Sequence, residues 1–199
     1  VFSKVDKKIS AFISKKMNVD LVKAKEIQKK YFYEYGTTLS GLMKQDGIDP
    51  HDFLDFVHDI DISWLPKDLK LREELIKIKE KKYIFTNGSH AHVENIIKQL
   101  GIDGLFDGAF DIVDANFVPK PHADPYKKII KKFDIDPTKS ILIEDIAHNL
   151  EQAKNLGMKT CWLENEEAFA KKDADKPYID YKIKNLPSFL QKINILKAA

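Results

Sequence analysis

This chain of 199 residues predicts an α/β fold, with a parallel sheet in its larger part and a small helical domain before it. Three observations carry that expectation. From Pro66 onward, short apolar runs alternate with helical stretches of about ten residues, the pattern of βαβ units around a parallel sheet. Before that point, residues 1–66 show helical periodicity alone. Finally, Ser140–Asn149 (SILIEDIAHN) runs an unbroken apolar strand straight into two adjacent acids. Such a run suits a strand buried on both faces, and the C-terminal ends of these strands are where α/β folds place ligands. The expected division is a helical domain over 1–66 and an α/β core over 67–199.

The first helix is expected from Val1 to Met17, with Val1, Phe2, Val5, Ile9, Phe12, Ile13 and Met17 at helical spacing. Asn18–Asp20 reads as a turn and cap. A second helix continues to Tyr35, with Leu21, Ala24, Ile27, Tyr31 and Tyr35 near one face, and Gly36 ends it. Thr38–Gln45 is a short third helix stopped at Gly47, and Pro50–His58 a fourth. In the second part, Leu69–Glu80 reads as a helix and Lys82–Phe85 as a strand that exits through Thr86-Asn87-Gly88-Ser89. His90–Leu100 is a helix closed by Gly101, and a strand is expected around Ala109–Ile112. Pro119-Lys120-Pro121 lies in a loop, followed by helix Pro125–Phe133. Strand Ser140–Ile143, helix His148–Leu156 and strand Thr160–Leu163 come next. Glu164–Pro177 reads as a polar surface loop, Tyr181–Ile183 as a last strand, and a helix opens at Pro187.

Composition narrows the function classes. Hydrophobic content of 43% and charged content of 32% fit a soluble globular chain. A net charge of +2 gives no footprint for a nucleic-acid polymer. The lysines are interspersed with acids, as in Lys77–Lys82, and read as solvated faces. No apolar run approaches the ~20 residues needed to span a bilayer. The single cysteine, Cys161, lies in the apolar run Thr160–Leu163 and reads as a small buried hydrophobe; it fits a reducing, cytoplasmic setting.

Three stretches carry candidate chemistry. Glu144 and Asp145 end a buried strand, where two carboxylates are costly without a partner. A hard cation, Mg²⁺, suits them, and Asn149 four residues after Asp145 could face the same place. The alternative is a pair of acids favouring a helix N-terminus. Thr86, Asn87 and Gly88 leave a strand and open a helix, where free backbone N–H groups suit a phosphate, although a plain capping turn has the same residues. Lys120, between two prolines, is an ammonium on a fixed backbone that can stabilise a transferring phosphoryl group. Tyr31, Tyr35 and Thr38 are candidate substrate contacts in the helical domain, the alternative being core and cap. The six histidines show no ligand spacing; His90 and His92 do not share a helix face, and His122 lies close to Lys120.

Taken together, strand-Thr-Asn-Gly, then Lys in a Pro-rich loop, then strand-Glu-Asp, on successive βα units, resembles the haloacid dehalogenase (HAD) superfamily over essentially the whole chain. The resemblance implies a Rossmann-like sheet core with a small helical cap inserted after the first strand. It implies that Thr86 is the phosphate-binding Ser/Thr of the second motif, that Lys120 is the lysine of the third, and that Glu144 and Asp145 are the Mg²⁺-holding acids of the fourth. The runs YGTTLSGLM, HDFLDFVHDIDISWLP, FTNGSHAHVENII and NFVPKPHADPY look like the pyrimidine 5′-nucleotidase branch. Members of that branch dephosphorylate nucleoside monophosphates and similar small phosphates, and a monomer or weak homodimer is expected. Ile146 departs from the small hydroxyl residue often found after the acid pair.

The family's first motif, Asp-x-Asp-x-Thr, supplies the nucleophile and the general acid/base, and it has no match here. Asp59-Ile60-Asp61 has the spacing, but it lies in the helical part with no strand before it. The expectation is therefore that the natural chain carries about 10–20 further residues upstream of Val1, with the middle strand of the sheet, and that the 199 residues alone are catalytically inactive. Three alternatives stay open: a 2-haloacid dehalogenase, which needs no metal, a non-catalytic binding module of the same fold, and phosphoryl transfer to an acceptor other than water.

Overall fold

A computed structural model describes residues 1–198. In chain order its elements are α1 (Phe2–Met17), α2 (Leu21–Tyr35), α3 (Thr38–Asp46), α4 (Pro50–His58), α5 (Leu69–Lys77), β1 (Tyr83–Phe85), α6 (His90–Leu100), β2 (Gly108–Phe110), α7 (Ala123–Phe133), β3 (Ile141–Glu144), α8 (Leu150–Asn155), β4 (Lys159–Leu163), α9 (Ala168–Lys171), β5 (Tyr181–Ile183) and α10 (Leu186–Ala198). They fall into two compact units. One comprises Val1–Lys67, Thr86–Leu100 and Asp111–Pro119; the other comprises Asp68–Phe85, Gly101–Phe110 and the residues from Lys120 onward.

In the helical unit, side-chain caps start the helices. The Asp20, Thr37 and Asp49 side chains accept from the main-chain N–H groups of Lys23, Ser40 and His51. Asn18 and Gly47 adopt left-handed backbone and end α1 and α3. Phe12, Ile13, Ala24, Leu42, Phe53, Leu54, Val57 and Ile112 form the core, with Phe12 edge-on to Phe53 at 5.2 Å. Leu21, expected on the apolar face of α2, is 61% exposed, because α2 turns Ala24 and Gln28 inward instead.

In the strand unit all pairing is parallel, and the sheet is in two pieces. β1 pairs with β2 in the register Ile84↔Ala109, while β3, β4 and β5 pair in that order, with Ile143↔Cys161 and Trp162↔Lys182. Phe85 of β1 and Leu142 of β3 nevertheless belong to one apolar cluster, built on Tyr126, Ala153 and Met158 with Ile130 and Leu156.

Several boundaries differ from expectation for identifiable reasons. The helix expected to Glu80 stops at Lys77, and the Lys82 ammonium takes up the freed carbonyls of Ile78 (2.9 Å) and Glu80 (3.2 Å). The strand expected to reach Ile112 stops at Phe110, because the Asp111 carboxylate turns the chain by accepting from the N–H groups of Val113 and Asp114. The helix expected from His148 starts as a 3-10 turn, Ala147–Asn149, before α8. The expected loop over 164–177 contains the short helix α9, with Ala170 fully buried. Among the described residues no helix is long and apolar enough to cross a membrane.

Candidate active site

The turn after β1 belongs to the helical unit. The Gly88 N–H donates to Thr86 Oγ1 at 2.9 Å, so the hydroxyl keeps its own proton for donation. A side chain at Gly88 would crowd the turn, since a Cβ there would lie 3.3 Å from Thr86 Oγ1. The start of α6 is held by buried Asp111, whose carboxylate accepts from the His90 N–H at 2.8 Å. The Ile112 N–H donates to the Gly88 carbonyl at 3.2 Å, tying the turn down a second time.

Two imidazoles lie beside this turn. His58 Nδ1 and Ser89 Oγ are 2.8 Å apart, and the His58 ring stacks on His92 with centroids 4.3 Å apart. Ser89 Oγ also accepts from the His92 N–H at 3.4 Å. Burial, with the neighbouring His92, lowers His58 to about 3; burial lowers His92 as well. Both rings are neutral near pH 7. His58, one of the six histidines without ligand spacing, supports the turn.

The acids and the lysine belong to the strand unit. The Lys120–Pro121 peptide is cis. Lys120 Nζ donates to the Phe85 carbonyl at 2.8 Å and to Glu144 Oε2 at 2.5 Å, and it lies 4.7 Å from the Phe85 ring centroid. Both partners of the ion pair are buried, with side chains 4% and 8% exposed. Glu144 Oε1 accepts from Asn149 Nδ2 at 3.0 Å and from the Ile146 N–H at 3.4 Å. Asn149 is itself anchored, its carbonyl accepting from the buried Tyr126 hydroxyl at 2.5 Å. Asp145 is held differently. Its carbonyl accepts from Trp162 Nε1 at 2.9 Å and its Oδ2 from Asn165 Nδ2 at 3.2 Å. Burial raises the Asp145 carboxyl above the usual range, with the Glu144 charge adding to the shift.

The two acids were expected to share a cation, and the geometry gives them different partners. Glu144 has protein donors on both oxygens, because a buried ammonium at Lys120 requires a counter-charge. Asp145 is bonded instead by the Asn165 amide and offers hard oxygen in a half-buried place. Among the described residues no three His, Cys, Asp or Glu side chains are grouped to hold a metal. Mg²⁺ does not need that many, since it is commonly held by one or two carboxylates with waters and substrate phosphate oxygens. Asp145 fits that use, with Glu144 beside it.

The remaining candidates lie in the helix bundle. Thr38 is buried and its hydroxyl donates to the Gln28 carbonyl at 3.1 Å, so it is core rather than a ligand contact. Tyr31 packs against the backbone of Gly41 and meets Tyr35 edge-on at 5.7 Å; burial pushes the Tyr31 hydroxyl up to about 12. The sequence reading passed over His58, Ser89, Asp111, Trp162 and Asn165. Trp162 stands in register beside Glu144 and Asn165 follows the end of β4, where parallel strands deliver site residues, a placement visible only once the pairing of β3 with β4 is known.

Residues 9–163 match the profile of the haloacid dehalogenase-like hydrolases. The chain belongs to that family. It is 32% identical over 139 residues to glyceraldehyde 3-phosphate phosphatase of Pyrococcus furiosus, covering 67% of this chain and 57% of that protein. It is 33% identical over 175 residues to phosphate metabolism protein 8 of Saccharomyces cerevisiae, covering 75% and 52%. The chain thus spans little more than half the length of these curated relatives. The magnesium-bound HAD hydrolase YfnB of Bacillus subtilis superposes with a TM-score of 0.60 at 17% identity, over 97% of this chain and 92% of that one. At that identity the likeness is one of fold.

Proposed function

We propose that this HAD protein is a Mg²⁺-dependent phosphomonoester hydrolase of the pyrimidine 5′-nucleotidase-like branch, acting in the cytoplasm as a monomer or weak homodimer on a small phosphorylated metabolite such as a nucleoside 5′-monophosphate. The observation that carries the reading is the buried Lys120–Glu144 pair at the end of β3, followed in the chain by Asp145. A lysine so fixed can meet charge developing on a phosphoryl group without reorganising.

In this reading the phosphoryl oxygens are gripped by the Thr86 hydroxyl, the amides of Asn87 and Gly88 and the Lys120 ammonium. Glu144 keeps Lys120 aimed, and Asn149 keeps Glu144 in place. Asp145, with Glu144 beside it, would hold Mg²⁺, which when bound offsets the charge of the phosphoryl oxygens. The attacking group in such a reaction is an aspartate, which forms an aspartyl-phosphate that water then cleaves. Asp59 and Asp61 are not that group: their side chains are 85% and 67% exposed and pair with Lys8 and Lys4.

The name of the Pyrococcus relative brings forward a triose phosphate as a second substrate candidate. A panel of nucleoside 5′-monophosphates, glyceraldehyde 3-phosphate and 2-chloropropionate, assayed on the natural full-length protein with and without EDTA, tests the proposal. Phosphate release that EDTA stops is the expected result. Chloride release that survives EDTA would replace the proposal with a dehalogenase.

A further inference from the structure

Asp145 is held from β4 and its exit at two points, and neither belongs to the machinery assigned above. Trp162 is buried, 6% exposed, and stands in register beside Glu144. Its indole N–H donates across to the Asp145 carbonyl at 2.9 Å, fixing the main chain where β3 ends. Three residues later the Asn165 amide donates to Asp145 Oδ2 at 3.2 Å. Asn165 does not swing freely, because its own Oδ1 accepts from the Glu167 N–H at 3.0 Å. With its oxygen occupied there, the side-chain amide is oriented with its N–H₂ toward Asp145. A carboxylate with one oxygen engaged by a donor loses rotation about its last bond, and the other oxygen then has a fixed place.

We infer that Asn165 and Trp162 are positioning residues for Asp145: they fix its carboxylate so that Oδ1 is presented to a divalent cation while Oδ2 stays with the protein. The inference rests on the proposed Mg²⁺ reading and deepens it. It separates the two acids further: Glu144 is oriented by Asn149 and serves Lys120, whereas Asp145 is oriented from β4 and serves the cation.

The test is a Mg²⁺ titration of the full-length protein followed by the indole N–H resonances in ¹H–¹⁵N spectra. Residues 1–199 contain two tryptophans, Trp64 and Trp162. The Trp162 indole resonance is expected to shift on Mg²⁺ addition and the Trp64 resonance to stay, giving a Kd without reference to turnover. Asn165→Ala is expected to weaken that Kd about 10- to 100-fold. Asn165→Leu keeps the side-chain volume and lacks the amide, so the same loss is expected there. Asn165→Gln keeps the amide and is expected to recover most of the affinity, which a merely structural role would not produce. Asp145→Asn is expected to abolish the shift. A wild-type Kd in both the Ala and Leu variants would overturn the positioning role while leaving the cation reading intact. No Trp162 response in the wild-type protein, with no Mg²⁺ binding by calorimetry, would overturn both.

Discussion

Lys120 and Glu144 depend on each other. Each is buried, and each is the other's counter-charge. Lys120→Met should therefore destabilise the protein by about 3–5 kcal/mol, because it strands a buried carboxylate. Adding Glu144→Leu should restore most of that stability in urea unfolding while leaving turnover absent. A double variant no more stable than the single one would show that the pair contributes through something other than its charges. The role proposed for Thr86 is in binding instead. Thr86→Val keeps the shape and removes the hydroxyl, and inhibition by inorganic phosphate should weaken about 10- to 100-fold, the worth of one hydrogen bond to a charged group. Unchanged inhibition would remove Thr86 from the phosphate contacts. Titration enters through His58. Its folded-state value, about 3 against an ordinary 6.5, means that the unfolded chain takes up a proton the folded state resists. The stability it contributes is present above pH ~6.5 and is lost as pH falls toward 3, at up to about 1.4 kcal/mol per pH unit. His92, lowered in the same direction, steepens the trend. His58→Asn, which cannot titrate, should flatten the fall in unfolding free energy below pH 6.5; parallel curves would contradict the assignment.

Helices α1 to α4 were legible because their apolar spacing and capping residues are local properties, and Pro50–His58 and His90–Leu100 emerged with their expected bounds. The strand ends were less legible. Phe110 closes β2 because Asp111 leaves the ladder to bind the start of α6, a bond between residues 21 apart that no window of sequence contains. Candidate chemistry followed the same rule. Thr86, Glu144 and Asp145 announce themselves by residue type at strand ends, and Lys120 by its place between two prolines. Trp162 and Asn165 become candidates only once β3 and β4 are known to be neighbours, and His58 only once its ring is seen against Ser89. Thr38 misled because a hydroxyl at a helix start has the same look whether it meets a ligand or, as here, the Gln28 carbonyl.

For the molecule as a whole, the parallel α/β class was readable from alternation alone, and family membership rests on the match over residues 9–163. The two-piece sheet, with β1–β2 apart from β3–β4–β5, follows from pairings that sequence period cannot specify. Function is the property of the natural full-length protein, and one assay bears on it most directly: phosphate release from nucleoside 5′-monophosphates and glyceraldehyde 3-phosphate by wild type and Lys120→Ala, with Mg²⁺ and with EDTA. The account predicts release with Mg²⁺, none with EDTA, and a loss of about 100-fold or more in the variant. Release by Lys120→Ala at the wild-type rate, or release that survives EDTA, would contradict it.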